Sequence, residues 1–128
     1  MPSIGFFLRM ARELTEQELH NLAMNIVGHG LEAEGFEFMG VNSTLGKNPQ
    51  FVCLREKALH FIVVRAVGFP EDPRAYDRHT VQKVKEHAQK FNARCFYAGV
   101  GLSNAGDREL PVELDQEYYV DYQGLIEV

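Results

Sequence analysis

Apolar residues recur along this chain with two different periods, and the changes of period mark out its elements. Thr15, followed at the N3 position by Glu18, forms a capping-box pattern, and Leu19, Leu22, Ala23, Ile26 and Val27 continue it as an apolar stripe of helical spacing. Gly28 and Gly30 are expected to weaken or end that helix. Phe36 to Val41, set between Gly35 and the polar run Asn42 to Asn48, reads as a first strand. Phe51 to Arg55 and Leu59 to Val67 read as a hairpin linked through Glu56, Lys57 and Ala58. Its second strand is apolar on both faces, with His60, Ile62 and Val64 pointing one way and Phe61, Val63 and Arg65 the other. Such a strand belongs at the centre of a sheet covered by helices.

Pro70 and Pro73 punctuate the next loop, and Val81, Val84, Ala88 and Phe91 then predict a second helix from about Asp77 or Thr80 to Asn92. Arg94 to Val100 returns to strand character. Tyr118 to Tyr122 ends the pattern as a terminal strand or arm. Before all of these, Ile4, Phe7, Leu8 and Ala11 have helical spacing, so Ile4 to Leu14 is read as a short helical lead-in, although Gly5 and the clustered phenylalanines also suit a strand. The expected fold is α/β, a small central mixed sheet flanked by helices in the order α-β-β-β-α-β. One domain accounts for residues 1–128, a length ordinary for a single core.

Charge narrows the function classes. Thirteen Lys and Arg against eighteen Asp and Glu give a formal net charge of -5, and seven acids with one base lie between Asp107 and Val128. A protein that coats nucleic acid or an anionic membrane is disfavoured by that balance. No apolar run approaches the roughly 20 residues that span a bilayer. Met1 to Leu14 lacks the basic region and long apolar core of a signal peptide, so residence in the cytoplasm is expected. Cys53 and Cys95 lie in apolar strand-like runs and are expected to be buried free thiols. His20, His29, His60, His79 and His87 form no short ligand signature, and no metal or cofactor is expected.

The first helix, the hairpin, and the helix and strand that follow resemble the common core of the PD-(D/E)XK, or restriction-endonuclease-like, proteins. Asn48 to Ala66 carries most of that resemblance. In active members an acid opens the hairpin, and a carboxylate and a lysine separated by one residue lie near the end of its second strand, the carboxylates holding Mg²⁺ and the lysine orienting or activating the attacking water. Carried over by hairpin spacing, those positions fall on Gln50, Val63 and Arg65. None keeps the family's chemistry: Val63 offers nothing to a hard cation, and Arg65 is too basic to serve as a general base. The resemblance therefore implies a degenerate site without catalytic residues and without ordinary Mg²⁺-dependent nuclease activity.

What remains is binding. The surviving cleft is expected to have a floor of Gln50 and the Phe61, Val63, Arg65 face, with Glu18 and Glu32 contributing from the two ends of the first helix, and to take a small anion or a partner side chain at Arg65. Arg65 otherwise serves only as a structural cation paired with an acid. Tyr118, Tyr119 and Tyr122, interleaved with Asp115, Glu117 and Asp121, suit an interface with a protein partner or a second copy. Arg78, Lys83, Lys85, Lys90 and Arg94 supply a nucleic-acid alternative, weakened by Glu86 between Lys83 and Lys90. An enzyme with an atypical site stays open as a further alternative. The glycines from Gly99 to Gly106 match no phosphate-binding fingerprint, and Ser103 has neither an elbow sequence nor a base.

Overall fold

The computed structural model describes residues 12–128. Helix α1, Glu16–Ala33, begins at Thr15, whose side chain accepts the Glu18 N–H while the Glu18 carboxylate accepts the Thr15 N–H. Gly28 and Gly30 do not end it. The stop comes at Gly35, whose φ of 84° lets its N–H reach the Glu32 carbonyl and the Phe36 N–H reach that of Leu31, a Schellman closure. Burial of one face outweighs two unfavourable glycine propensities: Ala23, Met24, Val27, Gly28 and Leu31 are all buried.

Strand β1, Glu37–Val41, pairs antiparallel with β2, Phe51–Arg55, and β2 pairs antiparallel with β3, Ala58–Gly68. The β2–β3 link is two residues, not three. Glu56 and Lys57 both adopt positive φ, 52° and 65°, the arrangement of a tight hairpin turn that matches strand twist. From β3 the chain crosses over through α2, Arg78–Gln89, to β4, Arg94–Asn104, which lies parallel to β3. β5, Tyr118–Asp121, and β6, Ile126–Glu127, both pair antiparallel with β4. The order across the sheet is β1-β2-β3-β4-β5, with β6 also on β4.

This is the expected open, mixed α/β sheet flanked by helices, with the core order α-β-β-β-α-β. Both faces of its centre are covered. On one, α1 packs on Phe51, Cys53, Ile62, Val64, Phe96, Ala98 and Val100. On the other, Val81, Val84 and Ala88 of α2 pack on Phe61, Val63, Cys95 and Tyr97. Cys53 and Cys95 are buried free thiols, one in each layer.

The proposed helical lead-in falls mostly outside the described residues. Its last part is extended instead: Glu13 bridges Glu113, and Leu14 donates to the Val112 carbonyl at 2.9 Å. β4 runs four residues beyond the expected Val100, because β5 supplies partners for Gly101 to Asn104. Among the described residues, no helix is long and apolar enough to cross a membrane.

Candidate functional site

β2 stops before β3 does. The last β2–β3 pair is Phe51 with Ile62, yet β3 continues to Gly68. The side chain of Gln50 takes over where the main-chain ladder ends. Its Oε1 accepts the Val64 N–H at 2.7 Å, and its Nε2 donates to the Lys47 carbonyl at 3.1 Å and to Asn48 Oδ1 at 2.7 Å. With 1% of its surface exposed, Gln50 is a structural bracket that joins the 42–48 loop to β3.

Beside this bracket lies a cavity of about 550 Å³. It wraps the uncovered part of β3 between the starts of the two helices: Glu16, Leu19 and His20 line it from α1, and Asp77, Thr80 and Val81 from the beginning of α2. Gln50, Val63 and Arg65 line it together. Phe61 does not, since two residues earlier on β3 its ring packs against His87 and Phe91, each 5.8 Å away between centroids.

Glu18 and Glu32, expected at the two ends of α1, do not line the cavity. An 18-residue helix is about 27 Å long, so its two ends reach different places. Glu18 is committed to a two-pronged pairing with Arg12 at 2.7 and 2.9 Å and to the helix cap, which together hold its carboxyl down at about 2. Glu32 lies at the far end of α1, beside a separate groove with His29, Phe38 and Phe51. Glu16 and His20, one helical turn apart, take the places at the cavity.

Arg65 is the cavity's cation. Half of its side chain is exposed, and its only ion pair among the described residues is a loose one with Glu71 at 3.7 Å, longer than a hydrogen bond. Two buried polar atoms nearby have no partner among the described residues, the Nε2 of His20 and the hydroxyl of Tyr97. Burial lowers the pKa of the His20 imidazole, favouring its neutral form, and raises that of the Tyr97 phenol, while the charge of Arg65 pulls the phenol back down. Neither residue stands out in the linear sequence. The signals were His20 on the margin of the α1 stripe, and the parallel β3–β4 register that sets Tyr97 beside Val63.

The basic candidates are dispersed. Arg78, Lys83 and Lys90 are exposed along α2 and Lys85 is half-buried, but Arg94 is claimed by Glu127 through two bonds of 2.7 and 2.8 Å. Tyr118 and Tyr119 are exposed on β5, whereas Tyr122 packs against the α1 core, where burial pushes its phenol up to about 12. His60 is sandwiched between Phe36 and Phe96 on the face opposite Arg65. Among the described residues, no three His, Cys, Asp or Glu side chains come together as a metal-ligand set. No curated protein and no solved structure matches the chain. A family model does match residues 17–128, and the chain belongs to that family, a domain of unknown function (DUF8840).

Proposed function

We propose that this is a non-catalytic binding domain on a nuclease-like framework, and that its cavity takes a small anion at Arg65. The observation that carries the reading is the shared lining of one cavity by Gln50, Val63 and Arg65, the three positions where a PD-(D/E)XK protein would keep its metal carboxylates and lysine. Gln50 spends its amide on the main chain and its neighbours, Val63 is apolar, and Arg65 offers a fixed charge with directed donors. The beginnings of α1 and α2 both face the same space and favour negative charge there, although Glu16 and Asp77 offset part of that field. Buried free thiols at Cys53 and Cys95 fit a reducing compartment such as the cytoplasm.

The test is an anion titration of the ¹⁵N-labelled protein at constant ionic strength, with acetate and inorganic phosphate as probes. Saturable shifts at residues 63–66 that vanish in Arg65→Gln support the reading; a linear drift alike in both proteins refutes it. Single-stranded and duplex nucleic acids incubated with the protein in Mg²⁺ or Mn²⁺ should stay intact. Cleavage that is absent from a mock purification and lost in Arg65→Gln would restore an enzyme.

A second reading, self-association, is favoured by β5. It pairs with β4 alone among the described residues and exposes Tyr118, Tyr119 and Val120, the features of an unprotected edge. Sedimentation over a hundredfold concentration range tests it: a constant monomer mass refutes it, and a dimer that Tyr119→Lys dissociates supports it.

A further inference from the structure

The walls of the cavity say more about its ligand than the charge of Arg65 does. Leu19, Leu45, Val63, Val64, Ala66 and Val81 make much of the lining apolar, and about 550 Å³ is room for an organic molecule well beyond a bare ion. The charged lining is one arginine against Glu16 and Asp77, so a phosphate dianion would meet two carboxylates with a single cation to hold it. A singly charged, planar carboxylate suits a lone guanidinium better. Glu71 already brings such a group to 3.7 Å from Arg65, a contact loose enough for a better-placed acid to displace.

Tyr97 lies beside this position. Arg65 and Gly99 are register partners across the β3–β4 ladder, and a Cβ on Gly99 would stand 2.8 Å from a ring carbon of Tyr97. The tyrosine ring therefore leans along β4 over Gly99, the register partner of Arg65. The hydroxyl at its tip is buried and unpartnered, and leaving such a donor unmade is costly. His20 approaches from the α1 side, 4% exposed, with its Nε2 also unpartnered.

We infer that the cavity takes a small organic monocarboxylate with an apolar body, its carboxylate held by the Arg65 guanidinium and the Tyr97 hydroxyl, and an uncharged polar group of the ligand meeting His20 Nε2. Glu71 is the internal stand-in that leaves Arg65 when the acid binds. This inference rests on the anion-binding reading above and goes further by naming the chemical class.

Calorimetry and ¹⁵N–¹H spectra of the full chain test it, with phenylacetate, 4-hydroxyphenylacetate, 4-hydroxyphenylacetamide and inorganic phosphate as probes. Both acids should bind saturably and shift residues 63–66 and 97–99. The hydroxylated acid should bind about fivefold more tightly than phenylacetate, the effect of one neutral hydrogen bond, and His20→Phe should erase that difference. The amide, lacking the charge, should bind at least about tenfold more weakly than its acid. Tyr97→Phe should weaken both acids by about tenfold while leaving the urea midpoint of the free protein no lower than the parent's, because the hydroxyl it removes has no partner to lose and its burial is relieved. Phosphate binding at Arg65 without either acid overturns this inference and leaves the anion reading standing. If neither phosphate nor the acids bind, both fall. A Tyr97→Phe protein that loses stability and keeps full affinity makes the hydroxyl structural and overturns the assignment.

Discussion

Replacing Gln50 tests whether the start of the hairpin is a bracket or a remnant of a catalytic site. In Gln50→Ala the Val64 N–H, which the amide oxygen accepts at 2.7 Å, is left buried with no acceptor, a loss of about 1–3 kcal/mol. Lys47 and Asn48 are exposed, so the Lys47 carbonyl and Asn48 Oδ1 can turn to water, and their loss adds little. The void left by a fully buried side chain raises the total to about 2–4 kcal/mol, a large part of what a domain of this size possesses. Gln50→Glu is the sharper variant. It keeps the shape and the Val64 contact but replaces two N–H donors by a carboxylate oxygen. Asn48 can turn its amide to donate; the Lys47 carbonyl cannot. Burial and that carbonyl oppose ionisation, so the new carboxyl should titrate above the usual value of about 4.3 in the folded state. A folded pKa raised above the unfolded one means that the deficit grows as pH rises, and Gln50→Glu should be more destabilised at pH 7 than at pH 5. Urea unfolding at both pH values measures it. A Gln50→Glu protein as stable as the parent at pH 7 would refute the bracket and show that the position accepts an acid without cost.

Gly99→Ala should be among the most damaging single substitutions, since its Cβ would lie 1.7 Å from the Pro73 carbonyl oxygen and force the backbone of the loop before α2 away from β4. We expect a loss of about 3 kcal/mol or insoluble expression, and a urea midpoint within experimental error of the parent would contradict it. Glu18→Gln should remove a contribution that is fully present above the unfolded carboxylate value and lost as pH falls toward about 2. Urea midpoints of parent and variant should therefore differ at pH 6 and converge near pH 2, and a difference that persists there would point to packing instead. Burial raises the Cys53 and Cys95 thiols to about 11, so both should resist a thiol-specific reagent at pH 8 in the folded protein and react together in urea. Rapid labelling of the native protein would show that one of the layers opens readily.

The fold was legible where one residue's environment repeats along the chain. Two apolar faces on β3, the Val81, Val84, Ala88 spacing of α2 and the cap at Thr15 each state a local periodicity that tertiary packing then satisfies. The sequence misled where a local preference lost to packing, as at Gly28, buried beneath Phe51 within α1, and at Glu56 and Lys57, which accept positive φ without being glycine. It was silent on β6, two residues held by Phe96 and Tyr97 across the sheet and by the Arg94–Glu127 pair, because so short a strand has no period of its own.

The cavity follows a different logic, since its parts come from five separate stretches of chain. Gln50 and Arg65 could be placed together because a hairpin converts spacing into proximity, whereas Glu18 and Glu32 were drawn from the helix that faces the hairpin with no register to say which turn reaches it. Carboxylates attract notice as chemistry, yet a capping box spends one at the N3 position, so the same pattern that predicted the helix start had already assigned Glu18 elsewhere. Tyr97 was hidden for the opposite reason: within the run Arg94 to Val100 it reads as one more apolar strand residue. Only the parallel pairing of β3 with β4 sets it beside Val63, and only the missing side chain of Gly99 lets its ring lean over the register partner of Arg65. A glycine kept for the close approach of the Pro73 carbonyl thereby also shapes the polar end of the cavity. For that reason Gly99→Ala should disturb the environment of Arg65 as well as the fold, whereas Tyr97→Phe should weaken ligand binding with no loss of stability.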